Sequence, residues 1–162
     1  MNEQTRVTIA GKSYPVGHKN GLPQVKTDGG LSKTRFREYR DCTIRALALS
    51  AGIEYSTAHR IGRDAGRKRR CGFFPDRLLK QAEQSDIKYS KLPDSQVTIE
   101  EFIRTHSKGS FYCRRSGHAF AVVDGIILDN VRNTPRQKIK EAWEFIPSTE
   151  NNVCQADSNS VE

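Results

Sequence analysis

The chain has 162 residues, a formal net charge of +8 and 35% hydrophobic residues, and its mean hydropathy is −0.70. This length predicts one domain that can bury a core without disulfide bonds. No apolar run approaches the roughly 20 residues of a membrane-spanning helix, and the first residues lack the apolar core of a signal peptide. We therefore expect a cytoplasmic protein that has no membrane partner.

The cysteines do not follow the spacing of a metal site. Cys42, Cys71, Cys113 and Cys154 stand far apart, and no C-x-x-C pair is present. A chain of this size also needs no disulfide framework. The sequence therefore indicates no metal and no other cofactor.

Residues 1–34 are predicted to form a small hairpin followed by a flexible loop. The segments 6–9 and 13–16 are typical of short strands on either side of a turn, with Pro15 marking an edge strand. Residues 17–34 are rich in Gly, Lys and Asn, which is typical of a mobile loop or arm. At the other end, residues 147–162 are rich in Ser, Asn and acids, which predicts a disordered tail. The main folded domain is expected at 35–146.

A cysteine lies at the start of the first predicted helix. Asp41 occupies the N-cap position, and Ile44, Leu47 and Ala48 follow helical spacing, so Cys42 falls in the first turn. Unpaired backbone N–H groups and the helix dipole favour a thiolate there. Since the thiolate is the nucleophilic form of cysteine, Cys42 is a candidate nucleophile.

The middle of the chain alternates helices and strands. The predicted elements are, in order, a helix from about Ser56 to Ala65, a basic loop at 67–70, a helix beginning near Pro75, a strand at 87–92, a short helix capped by Thr98, and strands at 110–114 and 141–146. His59 is expected to be a surface helix residue without a partner. The basic loop is expected to be solvated, and an anionic partner is the alternative, given the net charge.

The strongest structural signal is a hairpin at residues 117–130. Asp124 and Gly125 separate two apolar runs, and a two-residue turn of this type needs positive φ at both central positions. In that register Phe120 faces Asp129, and His118 lies diagonally across from Asp129 on the same side. Both faces are apolar, so the hairpin should be buried. The pair of His118 and Asp129 has two possible interpretations. It is either a partly buried histidine that an acid at a strand end satisfies structurally, or a catalytic pair.

The order of these residues resembles the papain-like cysteine peptidase superfamily. A cysteine opens a helix, a histidine later starts a strand, and an acid follows on the next strand. Asp-Cys before an apolar helix, with a later Gly-His-apolar-Val-Val-Asp-Gly hairpin, is especially similar to small bacterial and phage-encoded papain-like proteins. The resemblance implies that Cys42 is the nucleophile, His118 the general base and Asp129 the orienting acid. It also implies an α+β, papain-like domain at 35–146, with N-terminal helices packed on a C-terminal antiparallel sheet.

One position departs from the papain pattern. Papain has a glutamine six residues before its cysteine as an oxyanion donor, and here that position is Phe36. Backbone amides near Cys42 would have to serve instead, with help from arginine side chains. The candidate oxyanion and substrate-binding residues are Arg37, Arg40, Asp41, Arg114 and Arg115.

The resemblance leaves three functions open. The first is a cysteine-dependent hydrolase of amide or isopeptide bonds, most simply a peptidase, which acts on a peptide or protein through a thioester. The second is a noncatalytic papain-like interaction protein whose basic surface binds an acidic host protein or nucleic acid. The third is a deamidase or acyltransferase that uses the same triad.

Overall fold

The fold is α+β: in the part of the chain that the structure describes, four strands precede three α-helices, and the remaining strands follow with one further α-helix among them. The computed structural model describes residues 5–9, 12–19, 21–93 and 96–146. The α-helices in these ranges are α1 (Cys42–Ala51), α2 (Tyr55–Asp64), α3 (Pro75–Ala82) and α4 (Ile99–Thr105). The strands are β1 (Arg6–Ile9), β2 (Lys12–Pro15), β3 (Gly17–Lys19), β4 (Leu22–Lys26), β5 (Tyr89–Lys91), β6 (Ser110–Arg115), β7 (His118–Val123), β8 (Ile126–Asp129) and β9 (Glu141–Phe145).

Most of the strands join one sheet. Seven of them form this sheet in the order β3-β4-β8-β7-β6-β9-β5, while β1 and β2 form a separate antiparallel pair. Every neighbouring pair in the large sheet is antiparallel except β4 and β8, which are parallel. The predicted antiparallel sheet is therefore confirmed, and one parallel contact joins it to the N-terminal strands.

Three helices cover one face of the large sheet. The buried side chains of α1, α2 and α3, such as Ile44 and Leu79, cluster with Tyr112, Ala119 and Trp143 from the strands. Each fully buried Leu or Ile in such a cluster contributes roughly 1.5–3 kcal/mol relative to an exposed one. This layer fixes the position of α1, the helix that begins at Cys42.

The opposite face of the sheet is covered by α4. Ile99 and Phe102 of this helix pack with Phe111, Phe120 and Ile127 from the central strands. The predicted capping residue is confirmed, because the Thr98 side chain accepts a hydrogen bond from the backbone N–H of Glu101. The central strands thus have apolar contacts on both faces, as the sequence of the hairpin predicts.

The hairpin of β7 and β8 has the predicted register. Val123 pairs with Ile126, and Ala121 pairs with Leu128. Asp124 and Gly125 have φ angles of 49° and 76°, which are the positive values that a two-residue turn requires. This turn determines which residues of the two strands share a face.

Helices α1 and α2 approach each other closely at a glycine. A Cβ atom added to Gly62 would lie 2.5 Å from Ile44 Cδ1, a distance that carbon atoms do not reach without a clash. Both residues are buried. The glycine therefore sets the spacing between α1 and α2.

The prediction of a flexible loop at 17–34 is wrong for residues 17–26. Strands β3 and β4 occupy residues 17–19 and 22–26, and β4 pairs with β8, with Lys26 opposite Asp129. The alternation of apolar and polar residues in this segment is short and includes Pro23, so the sequence gives only a weak strand signal. The small hairpin of β1 and β2 is confirmed.

The predicted disordered tail at 147–162, including Cys154, lies outside the described residues. Within the described ranges, no helix has the length and apolar character that crossing a membrane requires.

Candidate active site

Cys42 is the first residue of α1 and is partly buried. Asp41 occupies the N-cap position, but its side chain does not cap the helix. Its carboxylate instead accepts hydrogen bonds from Arg45 Nε at 3.0 Å and from the Tyr55 hydroxyl at 2.7 Å. No side-chain cap therefore occupies the amides at the start of α1, where the helix dipole favours negative charge.

His118 and Asp129 form a hydrogen-bonded pair at one end of the hairpin. Their register places the first residue of β7 near the last residue of β8, and His118 Nε2 lies 2.7 Å from Asp129 Oδ2. The side chains are 13% and 4% exposed, so the pair is largely shielded from water. The predicted diagonal contact is therefore present.

The Cys42 thiol completes this arrangement. It interacts with the His118 ring and with the backbone of Ala119, and both interactions affect its pKa. Because Nε2 of His118 binds Asp129, Nδ1 is the ring nitrogen that remains for the sulfur. The structure thus brings Cys42, His118 and Asp129 together in one chain of contacts.

This chain of contacts favours a thiolate and an imidazolium. Burial acts to raise the pKa of Cys42, but hydrogen bonds from His118 and Ala119 and the charge of His118 outweigh it, so the pKa is lowered. Burial acts to lower the pKa of His118, but hydrogen bonds to Asp129 and Cys42 and their charges raise it to about 9. These interactions therefore stabilise the charged forms of both groups relative to the free side chains.

A second layer of hydrogen bonds holds Asp129. Its Oδ1 accepts from the backbone N–H of Asn130 at 2.8 Å, and its Oδ2 accepts from Asn133 Nδ2 at 2.9 Å. Asn133 is fully buried, and its Oδ1 accepts from Arg115 Nε at 3.0 Å. Asn133 was not among the predicted site residues. The only feature of the sequence that could have identified Asn133 is its position, since it is a polar residue four places after Asp129.

The predicted oxyanion and substrate residues have different surroundings. Arg37 and Arg40 are exposed and lie on the segment that leads into α1. Asp41 is buried and holds Arg45 and Tyr55, as described above. Arg114 binds Glu141, and Arg115 binds Asn133. The structure therefore gives Asp41, Arg114 and Arg115 partners within the protein.

The expectation that His59 lacks a partner is wrong. Its ring stacks on Phe36 with 4.0 Å between centroids, and its Nε2 lies 3.5 Å from Glu38 Oε1. That distance is too long for a well-formed hydrogen bond, so His59 contacts the stacked Phe36 ring and lies near the Glu38 carboxylate. Phe36, at the position of the papain glutamine, thus packs on α2 and offers no side-chain donor.

Among the described residues, no group of three or more His, Cys, Asp or Glu side chains could hold a metal ion. Comparisons of the chain with protein-family models, with curated proteins and with solved structures found no match. The fold and the site therefore define an α+β protein with a Cys-His-Asp arrangement.

Proposed function

We propose that the protein is a papain-like cysteine hydrolase that cleaves amide or isopeptide bonds, most simply a peptidase. The observation that carries the proposal is the position of His118, which bonds Asp129 Oδ2 at 2.7 Å and also interacts with the Cys42 thiol. A nucleophile, a base and a group that orients the base are the three parts of a catalytic triad.

In the proposed reaction, the Cys42 thiolate attacks the carbonyl carbon of the substrate. The His118 imidazolium donates its proton to the leaving nitrogen, the C–N bond breaks, and a thioester and an amine result. His118, now neutral, takes a proton from water, and the hydroxide attacks the thioester. The C–S bond then breaks, which releases the acid and restores the thiolate and imidazolium. Asp129 stabilises the imidazolium and keeps the ring in position.

Backbone amides at the start of α1 are the proposed oxyanion donors. The Asp41 side chain leaves them uncapped, and they belong to the same first helical turn as Cys42, so they are the donors available to a carbonyl oxygen that becomes negative there. Phe36 cannot replace the papain glutamine, since its ring is stacked on His59 and has no donor. The oxyanion site therefore depends on main-chain atoms more than it does in papain.

Two features favour the papain-like interpretation over an unrelated triad. The residues follow the order cysteine, histidine, acid along the chain, and the cysteine opens a helix that packs against the strand of the histidine. A deamidase or an acyltransferase would use the same groups and differ in the substrate amide or in the acceptor.

Selective alkylation tests the proposal. At mildly acidic pH, iodoacetamide should label Cys42 before the other thiols, because the interactions with His118 and Ala119 outweigh burial and lower its pKa. Mass spectrometry locates the label. Cys71 is exposed, whereas Cys113 is buried and its pKa is raised by burial. Accessibility alone would thus make Cys71 react first. We expect Cys42 to react at least about tenfold faster than Cys71.

The matched variant is His118→Ala, which should remove the preference for Cys42 without exposing another thiol. Labelling of Cys71 first or at the same rate in the unchanged protein would contradict the proposal. Hydrolysis of an amide probe that disappears in Cys42→Ala would then distinguish an enzyme from an inactive scaffold.

A further inference from the structure

Two basic segments of the chain meet at one buried carboxylate. Glu38 lies in segment 35–40, just before α1, and its side chain is fully buried. Its Oε2 accepts a hydrogen bond from Arg67 Nη2 at 2.6 Å, and both its oxygens lie 3.3 Å from the backbone nitrogen of Arg70. Glu38 therefore joins segment 35–40 to the basic loop 67–71.

Further contacts fix the two segments against each other. Arg70 Nε donates to the backbone carbonyl of Arg37 at 3.0 Å, and the Arg70 guanidinium lies 5.7 Å from the centre of the Tyr39 ring. Arg67 Nε donates to the carbonyl of Cys71 at 3.0 Å. The basic loop is therefore held in place by specific contacts, in contrast to the solvated run that the sequence predicts.

The outer surface of these joined segments is cationic. Burial acts to raise the pKa of Glu38, but hydrogen bonds from Arg67 and Arg70 and the charge of Arg67 lower it. This carboxylate therefore stays ionised, and its charge is paired with Arg67 inside the protein. It is the only acid in segments 35–40 and 67–71. We call the exposed side chains of these segments the basic surface; they are Arg35, Arg37, Arg40, Lys68, Arg69 and Arg70.

The basic surface leads into the helix that begins with the candidate nucleophile. Arg40 precedes Cys42, the first residue of α1, by two residues, and only the buried Asp41 lies between them in sequence. A polypeptide whose carbonyl reached the Cys42 sulfur would therefore place its neighbouring residues near the start of α1, where this surface begins. Cations in such a position attract acidic side chains and raise the rate of encounter.

We propose that the basic surface binds acidic residues of a polypeptide substrate, next to the bond that Cys42 attacks. This inference rests on the proposed hydrolase function. A polypeptide is the occupant that follows from the position of this surface next to a cysteine proposed to attack a peptide carbonyl. A single-stranded nucleic acid would add base stacking on exposed aromatic rings to the attraction of charge, and Tyr39 is 57% exposed, so nucleic acid is the competing occupant that the test distinguishes.

Peptide binding to the full chain tests the proposal. The probe is a fluorescein-labelled decapeptide of alternating Glu and Ala, and its anisotropy is measured at low salt with Cys42→Ala protein, which cannot turn over. The test variant adds Arg35→Gln, Arg37→Gln and Arg40→Gln. The control instead adds Arg104→Gln, Lys108→Gln and Lys138→Gln, exposed cations at or near α4 on the other side of the sheet.

We expect the test variant to bind the peptide about tenfold more weakly and the control to bind within about twofold of the parent, although both lose the same charge. Equal weakening in the two variants would overturn the proposal, because binding would then follow net charge alone. A ten-nucleotide oligothymidylate that binds more tightly than the peptide, and loses affinity only in the test variant, would also overturn it and identify a nucleic-acid surface.

Alkylation of Cys42 separates this inference from the proposed function. If Cys42 is alkylated preferentially but the peptide does not bind at the basic surface, only the acidic-substrate proposal is overturned. Localised peptide binding in a chain whose Cys42 shows no preferential alkylation overturns the substrate role, and leaves the surface as a binding site for acidic proteins. Circular dichroism of each variant verifies that the fold is retained.

Discussion

Asn133 and His118 bind the same oxygen of Asp129. Asn133 Nδ2 lies 2.9 Å from Asp129 Oδ2, and His118 Nε2 lies 2.7 Å from it. The asparagine is in turn held by Arg115, which pairs with His118 across strands β6 and β7. The carboxylate that contacts the imidazole is thus held by a further chain of hydrogen bonds from Asn133 and Arg115.

Replacing Asn133 with Ala should weaken the site without removing any of its three reacting groups. The lost hydrogen bond to an ionised acceptor is worth about 1.5–3 kcal/mol, so we expect alkylation of Cys42 to slow about tenfold. Asn130→Ala is the control, because Asn130 binds Asp129 through its backbone N–H, which the substitution keeps. Equal rates in the two variants would show that Asn133 does not position Asp129.

Asp129→Asn should lower the pKa of His118. The carboxylate and the thiolate raise this pKa to about 9 against the opposing effect of burial, and the amide removes one of these two charges. The pKa should therefore fall from about 9 toward the ordinary value of 6.5. Ring resonances of the four histidines in an NMR titration measure it, and those of His18 and His106 serve as internal references. An unchanged His118 titration would mean that Asp129 does not stabilise the imidazolium.

The same charges give the proposed hydrolase an expected pH range. The ion pair is lost when pH falls through the lowered pKa of Cys42, and again when pH rises through about 9, where His118 loses its proton. The rate on an amide probe should therefore be highest between these two pKa values and fall both below the first and above the second. In Asp129→Asn the alkaline fall should move to lower pH, and a rate that keeps rising above the His118 pKa would contradict the proposed role of the imidazolium.

The sequence is sufficient to predict the central part of the site because the signals there are local. Asp124-Gly125 permits one tight turn, and that turn sets the register that brings His118 near Asp129. Helical spacing after Cys42 similarly predicts where α1 begins. The contact between Cys42 and His118 required the resemblance to a family, since no local pattern joins a helix end to a distant strand.

The features that the sequence did not predict depend on contacts between distant segments. Strand β4 is stabilised by its parallel neighbour β8, and its own residues, with Pro23 among them, carry a weak strand signal. Glu38 and His59 meet only because α2 and the segment before α1 pack together. Asn133 lies outside any helix or strand, so no periodicity marks it as buried.

Gly62→Ala should destabilise the fold even though alanine favours helices more than glycine does. Helix propensity alone would add about 1 kcal/mol of stability. The new methyl group would lie 2.5 Å from Ile44 Cδ1, and overpacking of a buried contact costs about 1–3 kcal/mol. We expect a net loss of free energy of unfolding in urea denaturation, while Arg60→Ala, exposed on the same helix, should change it little. A stabilised Gly62→Ala variant would mean that α1 and α2 can separate without cost.

The ion pair of Glu38 and Arg67 should show strong coupling in a double-mutant cycle. Both side chains are almost fully buried, so Glu38→Gln leaves the Arg67 charge without its partner and should cost about 3 kcal/mol in free energy of unfolding. Arg67→Met should cost a similar amount, because it leaves the Glu38 carboxylate buried. The double variant, in which neither charge remains, should lose less than the sum of the two single losses. Lys91→Met with Glu141→Gln, a more exposed pair at 3.1 Å, is the control and should show weak coupling.

Additive losses at Glu38 and Arg67 would mean that water compensates each charge separately. In that case the ion pair of Glu38 and Arg67 would not hold the basic loop beside the segment that leads to Cys42.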